Sequence, residues 1–375
     1  MQSEAWIELT FEQGIGPGQV DGDGHMDFFE RGLLKAAAPD QLIAVLHPAI
    51  PEPSDTAEPV ASSPPVPPLE LAAALGLALG DGVYVDEQGG VRARRSGLVL
   101  YRPGKQLDVV ERYVHQGAVD LRSGNLDMPG HLTVKGDVER LFQVRASGDV
   151  EVLGAVAGGS VQAGGSVRVS GAARGGDDAR IVAGTDATLR SCENADVTAS
   201  HTLRVRDSVS SRLCGGQVLV GGRMRGGSAV AETLVQVAEA GAPGGVATLL
   251  EAGQPCEPPA LEQVQRAVLM QKLRRMAERG GVRDAFGSRG DARGKGAKLG
   301  RLDAARSNEQ LAEQVKRAAE RRRLQERASL QVGLAHPGVE LRIGDAKLLV
   351  EQSVRDLRYT RDAETGAMRV ERISK

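Results

Sequence analysis

The stretch "VQAGGSVRV", residues 161–169, sets two apolar positions before a glycine corner, Val161 and Ala163, and two after it, Val167 and Val169. The phrase recurs through the middle of the chain. Aligned on the small residue before each bend, seven copies begin at Met128, Ala146, Ala163, Ala183, Ala199, Cys214 and Ala231. Residues four and six positions later are nearly always aliphatic: Val150 and Val152 follow Ala146, and Leu203 and Val205 follow Ala199. Successive starts are 18, 17, 20, 16, 15 and 17 residues apart, a self-similarity that marks a stacked architecture.

Each arm of the phrase has period two, so its apolar members share one face of a short strand. A series of hairpins would also place Ala163 opposite Val167, but isolated hairpins this short bury too little to persist. Coiling lets every apolar residue stack on its counterpart one turn away in a continuous core. The predicted fold is therefore mainly β: a right-handed parallel β-helix with a C-terminal antiparallel helical hairpin and a small N-terminal β-rich unit. Gly and Asp at the corners, as in "SGD" 147–149, "GGS" 164–166 and "GTD" 184–186, are expected to supply the positive φ angles of tight bends.

The flanks read differently. Residues 1–50 form the expected N-terminal unit, and the proline-rich 51–68 is an extended linker. The β-helix with N-terminal capping strands is assigned to 69–257. Helical periodicity in 260–279 and 302–330 predicts the hairpin, assigned to 258–332, with strands over 333–375 packing back on the β-helix. Residues 258–330 hold 18 Lys+Arg and 9 Asp+Glu, a local charge of +9 that leaves the rest near -11 against the total of -2.

The motifs also carry a family resemblance. "SGNLDMPGHLTVKGDVERLFQVRASGDVEVLGAVAGGSVQAGGSVRVSGAARG" at 123–175, "ENADVTAS" at 193–200 and "HPGVELRIG" at 336–344 resemble the flagellar assembly protein A (FapA) family. They match its GNI-type entry, GDV rungs, A-GG-V corner, NA-V-A segment and PGV-I-IG segment. The N-terminal part departs from that pattern, since "PEPSDTAEPVASSPPVPP" replaces the glycine-rich joint of the family. The resemblance implies a non-enzymatic scaffold acting through protein–protein contacts in flagellar assembly or polar placement.

Composition excludes several classes. Aromatics are 3% of the chain, too few for the substrate groove of a polysaccharide lyase or for base stacking on nucleic acid. The three cysteines, Cys192, Cys214 and Cys256, are far apart, so neither a disulfide framework nor a zinc pair is expected. That usage, the lack of a secretory signal in "MQSEAWIELTF" and an apolar run of only about 12 residues at 69–80 predict a cytoplasmic location. His25, His47, His115, His131, His201 and His336 show no ligand spacing, and no cofactor, metal or small-molecule substrate is expected. "DGDGHMD" at 21–27 lacks the glycine and glutamate of a calcium loop. "GDARGKGAK" at 290–298 lacks the spacing and hydroxyl of a phosphate loop, "RGD" at 289–291 is noise, and Asp177 and Asp178 read as a solvated corner.

The candidate interaction residues are Arg274, Arg275, Arg321, Arg322 and Arg323, which antiparallel pairing of the two helices would bring together. Their expected partner is an acidic protein surface, flagellar or polar. Peripheral membrane contact and homo-oligomerisation are also allowed, and nucleic acid is disfavoured. Three alternatives stand beside the scaffold: a self-polymerising bactofilin-like filament, a hexapeptide-type acyltransferase suggested by the six-residue interval of Val144, Val150 and Val156, and electrostatic binding of nucleic acid or anionic lipid by the basic arm.

Overall fold

A computed structural model describes residues 5–11, 19–20, 26–27, 34–48, 68–103, 105–175, 179–256, 316, 319–362 and 365–373. The linker 51–67, most of the expected helical hairpin, His25, Asp177, Asp178 and the motifs at 290–298 and 289–291 lie outside these residues. The chain divides into two compact units, one of Met1–Val197 with Arg204–Arg212, the other of Thr198–Leu203 with Leu213–Lys375.

In the first unit, the strands before the proline-rich stretch share a core with those after it. Trp6–Leu9 pairs antiparallel with Leu42–His47, which pairs with Gly90–Ala93, which in turn pairs with Val83–Val85. Ala36–Ala37, Gly97–Arg102, Gln106–Val110 and Ala78–Leu79 make a second four-stranded sheet. Ile43, Ala44, Leu46, Val83, Val91, Ala93, Leu107 and Val109 are buried together. The expected boundary near residue 50 thus separates strands of one core, because prolines interrupt a chain without interrupting the contacts on either side. Within the apolar run, Pro68–Ala74 is a helix. Pro68 at its start sacrifices an amide that has no helical acceptor. Gly76, at φ +65°, ends it, with the Leu77 amide bonded to the Ala72 carbonyl and the Gly76 amide to that of Ala73.

The repeat follows. Leu126–Met128, Gln143–Ala146, Ser160–Ala163 and Arg180–Ala183 stack in parallel, with Met128, Ala146, Ala163 and Ala183 in register. A second column stacks Arg112–His115, His131–Val134, Val150–Val152, the start of Val167–Arg174 and the start of Ala187–Glu193. The sequence alignment predicts both registers. A third column, which it does not predict, runs Val119, Val138, Val156, Ala173, Cys192. Each coil therefore has three sides, and Val144, Val150 and Val156 occupy one side each. That is the origin of their six-residue spacing. The result is a β-solenoid of about seven turns.

Corner glycines serve a purpose other than the expected one. None of Gly148, Gly164, Gly165 and Gly184 has a positive φ. A Cβ on Gly164 would lie 2.3 Å from the Ser147 carbonyl oxygen, and one on Gly184 2.0 Å from the Gly164 carbonyl oxygen. Successive corners touch backbone to backbone, and the Gly164 amide bonds the Ala146 carbonyl at 2.9 Å. Glycine is required by that close approach.

In the second unit the solenoid continues past the basic arm. Thr248–Ala252 lies parallel on residues 227–231, and Ser329–Ala335 lies parallel on residues 234–240, pairing Leu330 with Val235 and Val332 with Val237. Residues 253–328 are thus inserted at one corner of one coil. Val339–Ile343 then stacks on Thr248–Ala252. This corrects two expectations: helix extends only to residue 327, since Ser329 and Leu330 are already strand, and the segment up to Ile343 continues the parallel ladder instead of packing back on it. Only afterwards do strands return antiparallel. Ala346–Leu349 covers Val339–Ile343, Val354–Arg361 covers Ser329–Ala335, and Met368–Arg372 covers Val354–Arg361.

Cys214 and Cys256 form a disulfide, with Cα atoms 5.8 Å apart. This corrects the reading that the cysteines are too distant to pair: coiling brings positions from different turns together. It also removes the cysteine-based argument for a reducing compartment. Cys192 is free and buried in the third column, and burial pushes its thiol pKa up.

Two outcomes check this architecture. Gly164→Ala should lower unfolding free energy in urea by about 1–3 kcal/mol, as expected when a close-packed site is overfilled, whereas Gly221→Ala should be near neutral, because its added methyl meets nothing within 4 Å. Alkylation counted by mass spectrometry should modify no cysteine in the native unreduced chain, one after denaturation, and three after denaturation with reduction.

Candidate interaction surface

Arg321, Arg322 and Arg323 lie in a helix over residues 319–327, whose sequence "AERRRLQER" holds four arginines and two glutamates. All three are exposed. Arg322 has an ion pair to Glu326 one turn on, at 3.7 Å, and its side chain keeps 81% relative exposure. Such a surface pair holds a side chain loosely and contributes little stability. Arg323, Leu324 and Arg327 also line a shallow groove with Glu320 and Glu326.

The helix is seated through Gln325 and, at its exit, Ala328. Gln325 packs where Gly253, at φ +84°, leaves room, with the Gln325 Cα 3.0 Å from where a Gly253 Cβ would be. The Gln325 side chain also fills the space over Gly344, and its Oε1 accepts a hydrogen bond from Arg361 Nη1 at 3.0 Å. Ala328, at the helix exit, is 2% exposed. On the side that enters the arm, Cys256 is bonded to Cys214, and its amide donates to Glu232 Oε1 at 3.3 Å. Both roots of the insertion are therefore fixed to the solenoid, and the arginines are carried on a seated helix. Arg274 and Arg275 lie outside the described residues.

Nearby charges are internally matched. Arg342 Nε donates to Glu340 Oε1 at 2.6 Å, and this bond holds the Glu340 carboxyl below its usual range. Gln254 Nε2 donates to Glu251 Oε1 at 3.1 Å. Outside the helix, Arg168, Arg190, Arg204, Arg206 and Arg212 of the first unit are also exposed at outward positions of the rungs. Sequence reasoning missed them as a group, although Arg168, Arg204 and Arg206 alternate with buried aliphatics in the stretches "VRV" 167–169 and "LRVRD" 203–207.

Four of the five described histidines have structural surroundings, and the fifth, His201, is exposed on a rung. His47 stacks on Trp6 with ring centroids 4.1 Å apart. His131 Nδ1 accepts from the Asp149 amide at 3.0 Å, and His115 Nε2 is 3.0 Å from the Ala118 carbonyl oxygen. His336, largely buried, lies 3.1 Å from Glu239 and 3.5 Å from the Ser353 hydroxyl, where it ties the exit of one strand to the coil beneath. No group of three metal-ligating side chains occurs among the described residues. Among the same residues, no helix is long and apolar enough to cross a membrane.

Comparison with known proteins gives one match. The family model "Flagellar Assembly Protein A beta solenoid domain" covers residues 111–362. Neither a search of curated proteins nor a search of solved structures found a match. The matched span begins one residue before the first strand of the solenoid ladder, Arg112–His115, and ends one residue after the antiparallel strand Val354–Arg361. It takes in the entire parallel ladder, the inserted arm and the strand that closes the ladder, and on that extent the chain belongs to the flagellar assembly protein A family.

Proposed function

We propose that this chain is a non-enzymatic scaffold that acts in flagellar assembly through protein–protein contacts, with the seated basic helix as a contact point. The observation that supports this most is the pairing of a family domain named for flagellar assembly with three adjacent exposed arginines on a helix whose roots are fixed. A fixed mount lowers the entropy lost in ordering the backbone against a partner. Arginine also suits the task, since its planar fork pairs with carboxylates in two-pronged fashion. The complementary surface is therefore acidic. End-to-end polymerisation of the bactofilin kind draws less support, because antiparallel strands cover the last parallel rungs.

Replacing Arg321, Arg322 and Arg323 together with Gln should leave the melting temperature nearly unchanged, since all three are exposed. In cells that make flagella, the substituted chain should accumulate normally but support fewer flagella per cell. Its association with the flagellar fraction should weaken more at low salt than at high salt. Flagellation that is unaffected even by deletion of the whole chain would contradict the assembly role. Association that is equal at both salt concentrations would contradict the arginine contact.

A further inference from the structure

Among the described residues, two of the antiparallel strands that cover the last rungs have a side with no strand partner, Ala346–Leu349 and Met368–Arg372. Met368–Arg372 pairs with Val354–Arg361 on one side and, among the described residues, with no strand on the other. Its register fixes which backbone groups point outward. The Ile373 amide bonds the Asp356 carbonyl, and the Asp362 amide bonds the Ala367 carbonyl. In an antiparallel ladder the mutually bonded pairs alternate, so residues 369 and 371 also direct their amides and carbonyls inward. Met368, Val370 and Arg372 direct theirs outward. Such an edge is a template for another strand.

The side chains select the occupant. Val370 is 48% exposed although its neighbour across the pair, Tyr359, is buried. On the opposite face, Arg369 and Glu371 flank it and contact each other at 3.3 Å. This short segment is electrostatically complementary to itself when reversed.

We propose that Met368–Arg372 is a dimerisation edge, on which a second copy of this chain pairs antiparallel about a two-fold axis through Val370. Val370 then faces the partner subunit's Val370 as a mutually hydrogen-bonded pair, which the outward direction of its backbone groups requires. Met368 faces the partner subunit's Arg372 in the same manner. Arg369 faces the partner subunit's Glu371 in the closer, non-bonded type of pair, where side chains interact most. Neighbouring registers are rejected by charge: centring one residue earlier opposes Arg369 to Arg369, and one residue later opposes Glu371 to Glu371. The contact is isologous and closed, so it yields a dimer and no filament.

Sedimentation velocity on the full chain, at concentrations from about 1 to about 100 µM, tests this. The unmodified chain should show a concentration-dependent dimer. Val370→Pro removes an outward amide at an edge position that tolerates proline, and should abolish dimerisation in this range. Arg369→Glu and Glu371→Arg alter exposed side chains, leave the monomer folded, and each create like-charge pairs twice in the symmetric contact. Either alone should weaken the dimer about tenfold, and an equimolar mixture should restore it as a heterodimer. A chain that stays monomeric throughout overturns the proposal. So does dimerisation that persists in Val370→Pro and in both charge variants, and so does a mixture that associates no better than its components.

Discussion

The structure depends on one repeated contact, an inward aliphatic side chain resting on its counterpart one coil away while the backbones between them exchange parallel hydrogen bonds. Val144 on Val161 on Ile181 is one such column, and all three are fully buried. Each buried side chain of this size contributes about 1.5–3 kcal/mol relative to exposure, but only if the coil above is in register. The contact therefore sets both composition and geometry. It keeps inner residues aliphatic and medium-sized, with Ala187 beside Leu189 in a rung where the preceding coils carry two valines. It also forces corners so close that a Cβ cannot fit between Gly164 and the Ser147 carbonyl.

That same constraint explains where the basic arm can be inserted. A solenoid coil tolerates any length of chain at a corner, because stacking is made by the sides. Ala252 ends one side and Ser329 begins the next. The two ends of the excursion are brought together by Gln325 against Gly253, and the entrance is pinned by Cys256 to Cys214. The basic helix is thus carried on an interruption that leaves the ladder intact, and it rests on the rungs at both ends of the excursion.

Much of the ladder was legible because two of its three columns have two apolar positions per coil, separated by one residue. The third was not, because it contributes a single inward residue per coil: Val119, Val138, Val156, Ala173 or Cys192 among variable neighbours. An isolated position has no period. The Cys214–Cys256 pair and the shared core of Leu42–His47 with Gly90–Ala93 were hidden for a related reason, being contacts between distant segments that local pattern does not encode. Of the candidate site, the run Arg321–Arg323 could be read as exposed from charge alone. Its support could not, since Gln325 is fixed by Arg361 and by the vacancy over Gly253. The glycines of the 147–149, 164–166 and 184–186 corners were located correctly but explained by the wrong property: bond rotation was inferred where close approach applies.

The central claim is that the chain re-enters its coil after the arm, with Leu330 stacked on Val235 and Leu341 on Leu250. Amide hydrogen exchange followed by mass spectrometry on the full chain tests it most directly, because parallel ladder bonds exchange only when the coil opens. Peptides covering 329–343 should be protected as strongly as those covering 227–252, and both should lose protection together as urea is raised. Rapid exchange of 329–343 while 227–252 remains protected would show that the segment beyond the arm is no part of the ladder, and would contradict the account.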